Sequence, residues 1–330
     1  MDKRVTEPAG RKHLIDLAPK PADFAAEVLD GLGGRPRRIA PKFFYDAAGS
    51  DLFDQICELP EYYPTRTELA LLDQIAPDIR ALAGPGATVI EFGAGGARKA
   101  HLLLNALDDP ARYTAIEISR AAIEATLEDL GGHHPDLDLM GICADFMAPL
   151  DFDREWLGAG RRICFFPGST LGNFERPEAL AFLRNARTLA GPDGAMLLGV
   201  DLIKDRAVLH AAYNDAAGVT AAFNLNLLAR MERELEAQLD TGHFTHHAFF
   251  NEDRARIEMH LRATRPTQIA LHGHRFGFDA GDTIHTESSH KYTLDALAEL
   301  ARAAGWNVEK SWTDPRGWFS LSWLCPMTVS

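Results

Sequence analysis

Between residues 87 and 200 the apolar positions fall into short blocks separated by longer amphipathic stretches. The blocks at 87–92, 113–118, 137–144, 161–166 and 195–201 have strand length and are bounded by Gly, Pro, Asp or Glu. The stretches at 99–107, 120–130 and 177–189 repeat apolar residues at three and four positions, the period of a helix. Strands alternating with helices at these lengths predict a parallel, doubly wound α/β sheet.

Upstream, 24–32 reads as a short amphipathic helix ended by Gly33-Gly34. Leu69, Leu71, Leu72, Ile75, Ile79 and Leu82 predict one helix, capped by Thr67 and stopped by Gly84-Pro85-Gly86. After Asp201 the pattern changes. A long helical segment carries Val208, Ala211, Ala212, Phe223, Leu227, Leu228, Met231 and Leu235. Strand-like runs follow at 244–251, 256–263, 267–271 and 274–278, which suit a smaller α+β subdomain. Residues 294–304 return to helix, with Gly305 as its cap. Two last strands at 306–312 and 318–324, joined through Asp314-Pro315-Arg316-Gly317, are expected to extend the first sheet. The expected organisation is a mobile arm at 1–20 containing Pro8, Gly10 and Pro19, a core from 21–200 plus 290–330, and an inserted substrate-binding subdomain at 201–289.

Composition changes this picture little. The 330 residues are 46% hydrophobic and 25% charged, as in ordinary globular proteins. A net charge of −13 disfavours nucleic acid and anionic membranes as partners. The four cysteines show no CxxC spacing, the first 13 residues contain no apolar signal core, and no run approaches the roughly 20 residues of a membrane span. A cytoplasmic monomer with reduced thiols, acting on a small molecule, is expected.

The sharpest local chemistry is Glu91-Phe92-Gly93-Ala94-Gly95-Gly96-Ala97-Arg98-Lys99, directly after a predicted strand and opening a helix. Glycines there let backbone approach a ligand and free amides to donate to it. Arg98 stands where a dinucleotide-binding loop needs its third glycine, so the loop suits a nucleoside without a pyrophosphate, such as S-adenosylmethionine. The alternative is a glycine-rich turn without a ligand. Glu117 ends the second strand, where an acid can accept from ribose hydroxyls, and Asp145-Phe146 ends the third, where a carboxylate and a ring can hold adenine. The fourth strand runs into Pro167-Gly168-Ser169-Thr170-Leu171-Gly172-Asn173, a turn whose Asn offers both a donor and an acceptor.

Several separated motifs go further. They are Phe44-Tyr45-Asp46-Ala47, Gly49-Ser50-Asp51-Leu52-Phe53-Asp54, Glu61-Tyr62-Tyr63-Pro64-Thr65-Arg66-Thr67-Glu68, and the two loops just described. Tyr213-Asn214-Asp215, Phe223-Asn224-Leu225-Asn226, Ile257-Glu258-Met259-His260-Leu261 and Thr286-Glu287-Ser288-Ser289-His290-Lys291-Tyr292 complete them. In this order, over about 38–328, the chain resembles the S-adenosylmethionine-dependent histidine Nα-methyltransferases of ergothioneine biosynthesis. The resemblance implies a class I, Rossmann-like methyltransferase sheet and trimethylation of L-histidine to hercynine through mono- and dimethyl intermediates. It implies that Tyr45, Gly93, Lys99, Glu117, Asp145 and Phe146 hold the cofactor, Glu117 replacing an expected aspartate. Tyr62 and Asn173 would act at the amine beside the Gly168 backbone, and Asn173 and Tyr213 would hold the carboxylate. Glu287 and Ser289 would bind the imidazole nitrogens, and Phe53 and Met259 would wall the ring.

Other readings fit less well. Thirteen histidines invite a metal, but none forms an HExxH pair or a zinc-like Cys/His set, so no metal is expected. A nicotinamide oxidoreductase lacks its third glycine. A silent cofactor binder would have no need of Tyr62, Asn173, Tyr213 and Glu287 together. Within methyltransferases, another amino acid is the alternative substrate.

Overall fold

The computed structural model describes residues 5–6, 12–17, 23–148, 150 and 152–327. The strands in chain order begin with β1 (Val5–Thr6), β2 (Lys12–Asp16), β3 (Thr88–Phe92), β4 (Arg112–Glu117) and β5 (Asp138–Cys143). Next come β6 (Arg162–Phe166), β7 (Ala195–Asp201), β8 (Phe244–Asn251), β9 (Arg256–Ala263) and β10 (Thr267–Leu271). The last are β11 (His274–Phe278), β12 (Thr283–His290), β13 (Trp306–Thr313) and β14 (Phe319–Pro326). The chain divides into two compact units, one of Met1–Lys20, Arg66–Leu202 and Tyr292–Ser330, the other of Pro21–Thr65 and Ile203–Lys291.

The first unit is built on a nine-stranded sheet of order β1-β2-β5-β4-β3-β6-β7-β14-β13. Strands β2 to β7 are parallel, and β14 and β13 add antiparallel at one edge, as the sequence led us to expect. From β3 the chain winds outward through β4 and β5, then returns to β6 on the other side of β3. That reversal makes β3/β6 the switch point of a doubly wound sheet, where ligands lie beyond the strand ends. Alternate strand residues feed two cores. Val89 and Leu197 pack among Leu71, Ile79, Leu103 and Ile123 on one face. Ile90 and Leu198 pack among Phe182, Leu183, Leu297 and Leu300 on the other.

Two expectations for this unit fail. The arm expected at 1–20 contains a strand, Lys12–Asp16, paired parallel to β5 and seating Leu14 and Ile15 in the two cores. Val5–Thr6 pairs antiparallel with that strand, and arm positions 1–4, 7–11 and 18–20, including Pro8, Gly10 and Pro19, lie outside the described residues. The single helix expected over 69–82 is two, Tyr63–Gln74 and Ala76–Ala83. Ile75 leaves helical geometry and Pro77 occupies the first turn of the second helix, where a missing N–H does no harm.

The β13–β14 turn hangs on Asp314, whose Oδ1 accepts from the amides of Trp318 (2.6 Å) and Phe319 (2.9 Å) and Oδ2 from that of Arg316 (3.1 Å). Burial alone would raise its pKa, but the amide hydrogen bonds outweigh it and hold the carboxyl below the ordinary value. A depressed folded pKa gives stability that is present above the unfolded value of about 4 and lost as pH falls through the folded one. Asp314→Ala should therefore cost about 1–2 kcal/mol in urea unfolding at pH 7, the difference shrinking in acid. An unchanged midpoint would refute this role.

In the second unit, β12-β9-β8 form an antiparallel sheet and β10–β11 a hairpin. The helical segment expected after Asp201 is two helices, Arg206–Tyr213 and Val219–Leu235. Asp215 opens the second by accepting from its first two amides, Val219 and Thr220, both at 2.8 Å, and Gly218 turns at φ 74°. The segment 21–65, which the sequence reading placed with the core, belongs to this unit. Phe44 packs on Phe223 with ring centroids 4.5 Å apart, and Asp46 accepts from Asn226 at 2.8 Å. The apolar helix Val219–Leu235 needed a partner, and a pattern read along the chain does not reveal one from 180 residues upstream.

Candidate active site

Of the expected cofactor residues, Gly93, Glu117, Asp145 and Phe146 stand at the carboxyl ends of adjacent strands of the first unit, Lys99 lies in the helix after the glycine loop, and Tyr45 belongs to the second unit. Gly93 follows β3 at φ 74°, and a Cβ there would stand 3.7 Å from the Phe146 ring. The helix that the loop opens, Ala97–Ala106, has no side-chain cap at Gly96, so its first turn presents backbone donors. Glu117 ends β4 half-buried and accepts from the Ser119 amide at 2.9 Å. Burial pushes its pKa up, opposed by the amides of Ser119 and Ile118, and Asp145 adds like charge. Asp145 and Phe146 follow β5, Asp145 exposed and accepting from the Met147 amide at 2.9 Å. The arrangement fits adenosine: a close-approach glycine, an acid one strand over and a ring against the loop. Ile118, which the sequence pattern did not single out, is 44% exposed between Glu117 and Ser119 and offers an apolar surface of the kind a base packs on.

Two side chains near the loop have other partners. Glu91 does not face a ligand; it is buried and accepts from the Tyr113 hydroxyl at 2.5 Å. Burial raises its pKa to about 7 against the pull of Tyr113 and Lys99. Lys99 pairs at 2.7 Å with Glu68, which is wholly buried. Both Glu68 oxygens accept from the Gly168 amide at 2.9 Å. Gly168 (φ 80°) and Ser169 (φ 59°) turn the chain sharply after β6, and Ser169 Oγ accepts from the Asp201 amide at 2.9 Å. Asn173 closes the short 3-10 turn that follows, half-buried. Thr67-Glu68 stood in the sequence beside Arg66, but nothing in the local pattern marked Glu68 as fully buried.

Of the expected substrate residues, all but Gly168 and Asn173 belong to the second unit. Phe53, Tyr62, Tyr213, Phe223, Met259 and Glu287 line one cavity. Phe53 stands 6.4 Å from Tyr62 and 6.0 Å from Phe223, ring centroid to centroid, and Tyr62 meets Tyr213 edge-on at 6.4 Å. Tyr45, 46% exposed, packs edge-on against Phe53 at 5.6 Å. Glu287 pairs across the sheet with Met259, just after an irregularity in β12, and Ser289 pairs with Ile257. Both side chains are buried on one strand face. Burial lifts the Glu287 pKa to about 7, opposed by the charge of Lys291. Burial also raises Tyr62 well above a normal phenol, with the neighbouring Tyr213 adding to it, so it stays protonated at neutral pH. The Tyr213 hydroxyl donates to Ser289 Oγ at 2.8 Å. Phe223 also lines this cavity and was not among the expected residues, although it lies inside a motif visible in the sequence.

Among the described residues, two groups bring three potential metal ligands together: His101, Asp129 and His133, and Glu258, His260 and His285. Neither includes a candidate site residue, and Glu258 already accepts from Arg256 at 2.8 Å. A larger cleft of about 490 Å³, lined by Arg66, Gln74 and Arg316, also contains none of them. No helix among the described residues is long and apolar enough to cross a membrane.

A protein-family model described as histidine-specific methyltransferase, SAM-dependent, matches residues 24–326. The chain is 41% identical to a histidine N-alpha-methyltransferase of Mycolicibacterium smegmatis, over 91% of this chain and 96% of that one. It is 38% identical to the protein of that name from Mycobacterium tuberculosis, over 90% and 92%. It is 31% identical to ergothioneine biosynthesis protein 1 of Neurospora crassa, over 84% of this chain and 32% of the relative. The protein is thus an N-methyltransferase whose methyl donor is S-adenosylmethionine. On the extent and strength of these matches, the chain belongs to the family of histidine-specific, S-adenosylmethionine-dependent methyltransferases.

Proposed function

We propose that the protein trimethylates the α-amino group of L-histidine, giving hercynine for ergothioneine biosynthesis. The observation that carries this is the buried Glu287 carboxyl, set beside Ser289 on one strand face and walled by Phe53 and Met259. A carboxylate accepting from a ring N–H and a hydroxyl beside it suit an imidazole better than an apolar side chain.

When bound, S-adenosylmethionine supplies a methyl group on a positively charged sulfur. In the first unit, Gly93, Lys99, Glu117, Asp145 and Phe146 serve the cofactor, while Asn173 and the Gly168 backbone serve the amine and carboxylate of the substrate. In the second, Tyr45 adds a cofactor contact and Tyr213 a carboxylate contact. Each transfer needs the amine lone pair, so the substrate ammonium must first give up a proton. Tyr62, held as a phenol, relays that proton by taking it on its hydroxyl oxygen as its own proton passes to water, and so never becomes a stable anion. The faces of Phe53, Tyr62 and Tyr213 suit the methylated cation that accumulates. Neutral polar groups at the amine avoid trapping that cation in a tight ion pair. The cavity measures about 30 Å³, room for one or two waters, so a ring enters only as Phe53 or Tyr62 gives way.

The test is a mass-resolved assay of the purified protein with S-adenosylmethionine and each of the twenty amino acids. Histidine alone should gain three methyl groups. Methylation of a different amino acid, or of none while the cofactor still binds, would overturn the histidine assignment.

A further inference from the structure

Glu287, Ser289 and Lys291 occupy alternate positions, so the strand β12 and its continuation set them in a row on one face. Lys291 is 3% exposed, and its ammonium donates to Ser289 Oγ at 2.8 Å and to Tyr213 Oη at 3.0 Å. The Tyr213 hydroxyl donates in turn to Ser289 Oγ at 2.8 Å. An ammonium has no acceptor site, so neither contact can reverse. Ser289 Oγ thus receives two hydrogen bonds, which occupy both of its lone pairs and leave it only its own proton to offer. Tyr213 Oη accepts from Lys291 and gives its single proton to Ser289 Oγ, which closes the triangle.

The geometry points to Lys291 as a positioning residue that sets specificity: by fixing Ser289 as a donor beside the acceptor Glu287, it makes the pocket read a ring with one N–H and one bare nitrogen. This rests on the histidine reading and adds a residue and a rule to it. Neutral imidazole matches the pair. A pyrrole ring keeps the N–H but leaves the Ser289 proton with no acceptor. Imidazolium presents a second N–H to a group that can only donate. Without Lys291, Ser289 can turn its proton toward Tyr213 and accept from a ring N–H, and the rule relaxes.

The experiment compares kcat/KM for histidine and for the pyrrolylalanine isomers in the wild type, Lys291→Met, Ser289→Ala and the double variant. The wild type should prefer histidine by about tenfold or more, the worth of one unsatisfied buried donor. Lys291→Met should bring that ratio to within about threefold while KM for S-adenosylmethionine stays within about twofold. In the Ser289→Ala background, Lys291→Met should change the ratio no further, because both act through one hydroxyl. An unchanged ratio in Lys291→Met, or equal effects of that substitution in both backgrounds, overturns the proposal. If Lys291→Met does not fold, as judged by circular dichroism, the wild type and Ser289→Ala decide it: a ratio that survives loss of the hydroxyl overturns the rule. A wild type inactive on histidine overturns the histidine reading itself, which separates that failure from this one.

Discussion

Replacing Glu287 by alanine is expected to lower kcat/KM for histidine by about 100-fold or more while leaving S-adenosylmethionine affinity within about twofold. A charge-assisted hydrogen bond contributes roughly 1.5–3 kcal/mol, and the substrate N–H left unpaired in a buried pocket adds to the loss. Glu287→Gln separates charge from shape. The wild-type carboxyl titrates at about 7, and only its ionised form accepts a hydrogen bond through both oxygens. Activity should therefore fall as pH drops through 7, and a triazole analogue of histidine, whose ring stays neutral there, isolates this limb from titration of imidazole. In Glu287→Gln the limb should vanish. Burial pushes the phenols of Tyr45 and Tyr62, which act on Glu287 or neighbour it, well above this range, so neither mimics that limb.

Stability should move the other way. A carboxyl whose folded pKa lies above its unfolded value binds its proton more tightly when folded, so ionising it costs stability as pH rises from about 4.5 to 7. Glu287→Gln removes that cost. The variant should be more stable than wild type by of order 1–3 kcal/mol at pH 8 and indistinguishable near pH 4. A variant that is both less active and more stable identifies Glu287 as a group held in place for substrate. Equal loss of activity and stability would mark it as structural instead.

What the sequence disclosed depended on whether a signal was local. The strands at 195–201, 244–251, 256–263, 267–271 and 274–278 have the bounds their apolar runs predict, because each is a short block closed by turn residues. The edge addition of β14 to β7 was legible too, since a terminal hairpin beside a parallel sheet has few other places to pair. Breaks inside helical patterns were harder: Pro77 and the Asp215–Gly218 cap interrupt periodicity without abolishing it. The partnership of 21–65 with the Val219–Leu235 helix was invisible, being a matter of which apolar faces meet. The same holds at the site. Gly93, Glu117 and Phe146 were singled out by their position after a strand, and Glu287 and Ser289 by the family resemblance. Glu68 and Lys291 are ordinary charged residues in sequence, and only their burial gives them a role.

Glu68 supports the largest stability prediction. Its carboxylate has no exposed surface, bonds the Gly168 amide through both oxygens at 2.9 Å and pairs with Lys99 at 2.7 Å. The fold makes room for it at Gly199, where a Cβ would lie 2.2 Å from Glu68 Oε1. One side chain thus ties the helix after the glycine loop to the turn that carries Asn173. Glu68→Ala would leave the Gly168 amide without its acceptor and Lys99 without its counter-ion, at a cost of about 3–5 kcal/mol. Lys99 is partly solvated, with 20% of its side chain exposed, so the lower figure is the better expectation. Paired removal should hurt less: Glu68→Leu with Lys99→Met takes away both charges and leaves only the amide unsatisfied. Urea unfolding of the two singles and the double gives a coupling free energy, and a value near zero would refute the clamp. If the clamp also sets the turn, Glu68→Ala should raise KM for both substrates even at temperatures where the protein remains folded, because the loops that present Lys99 and Asn173 lose their common anchor.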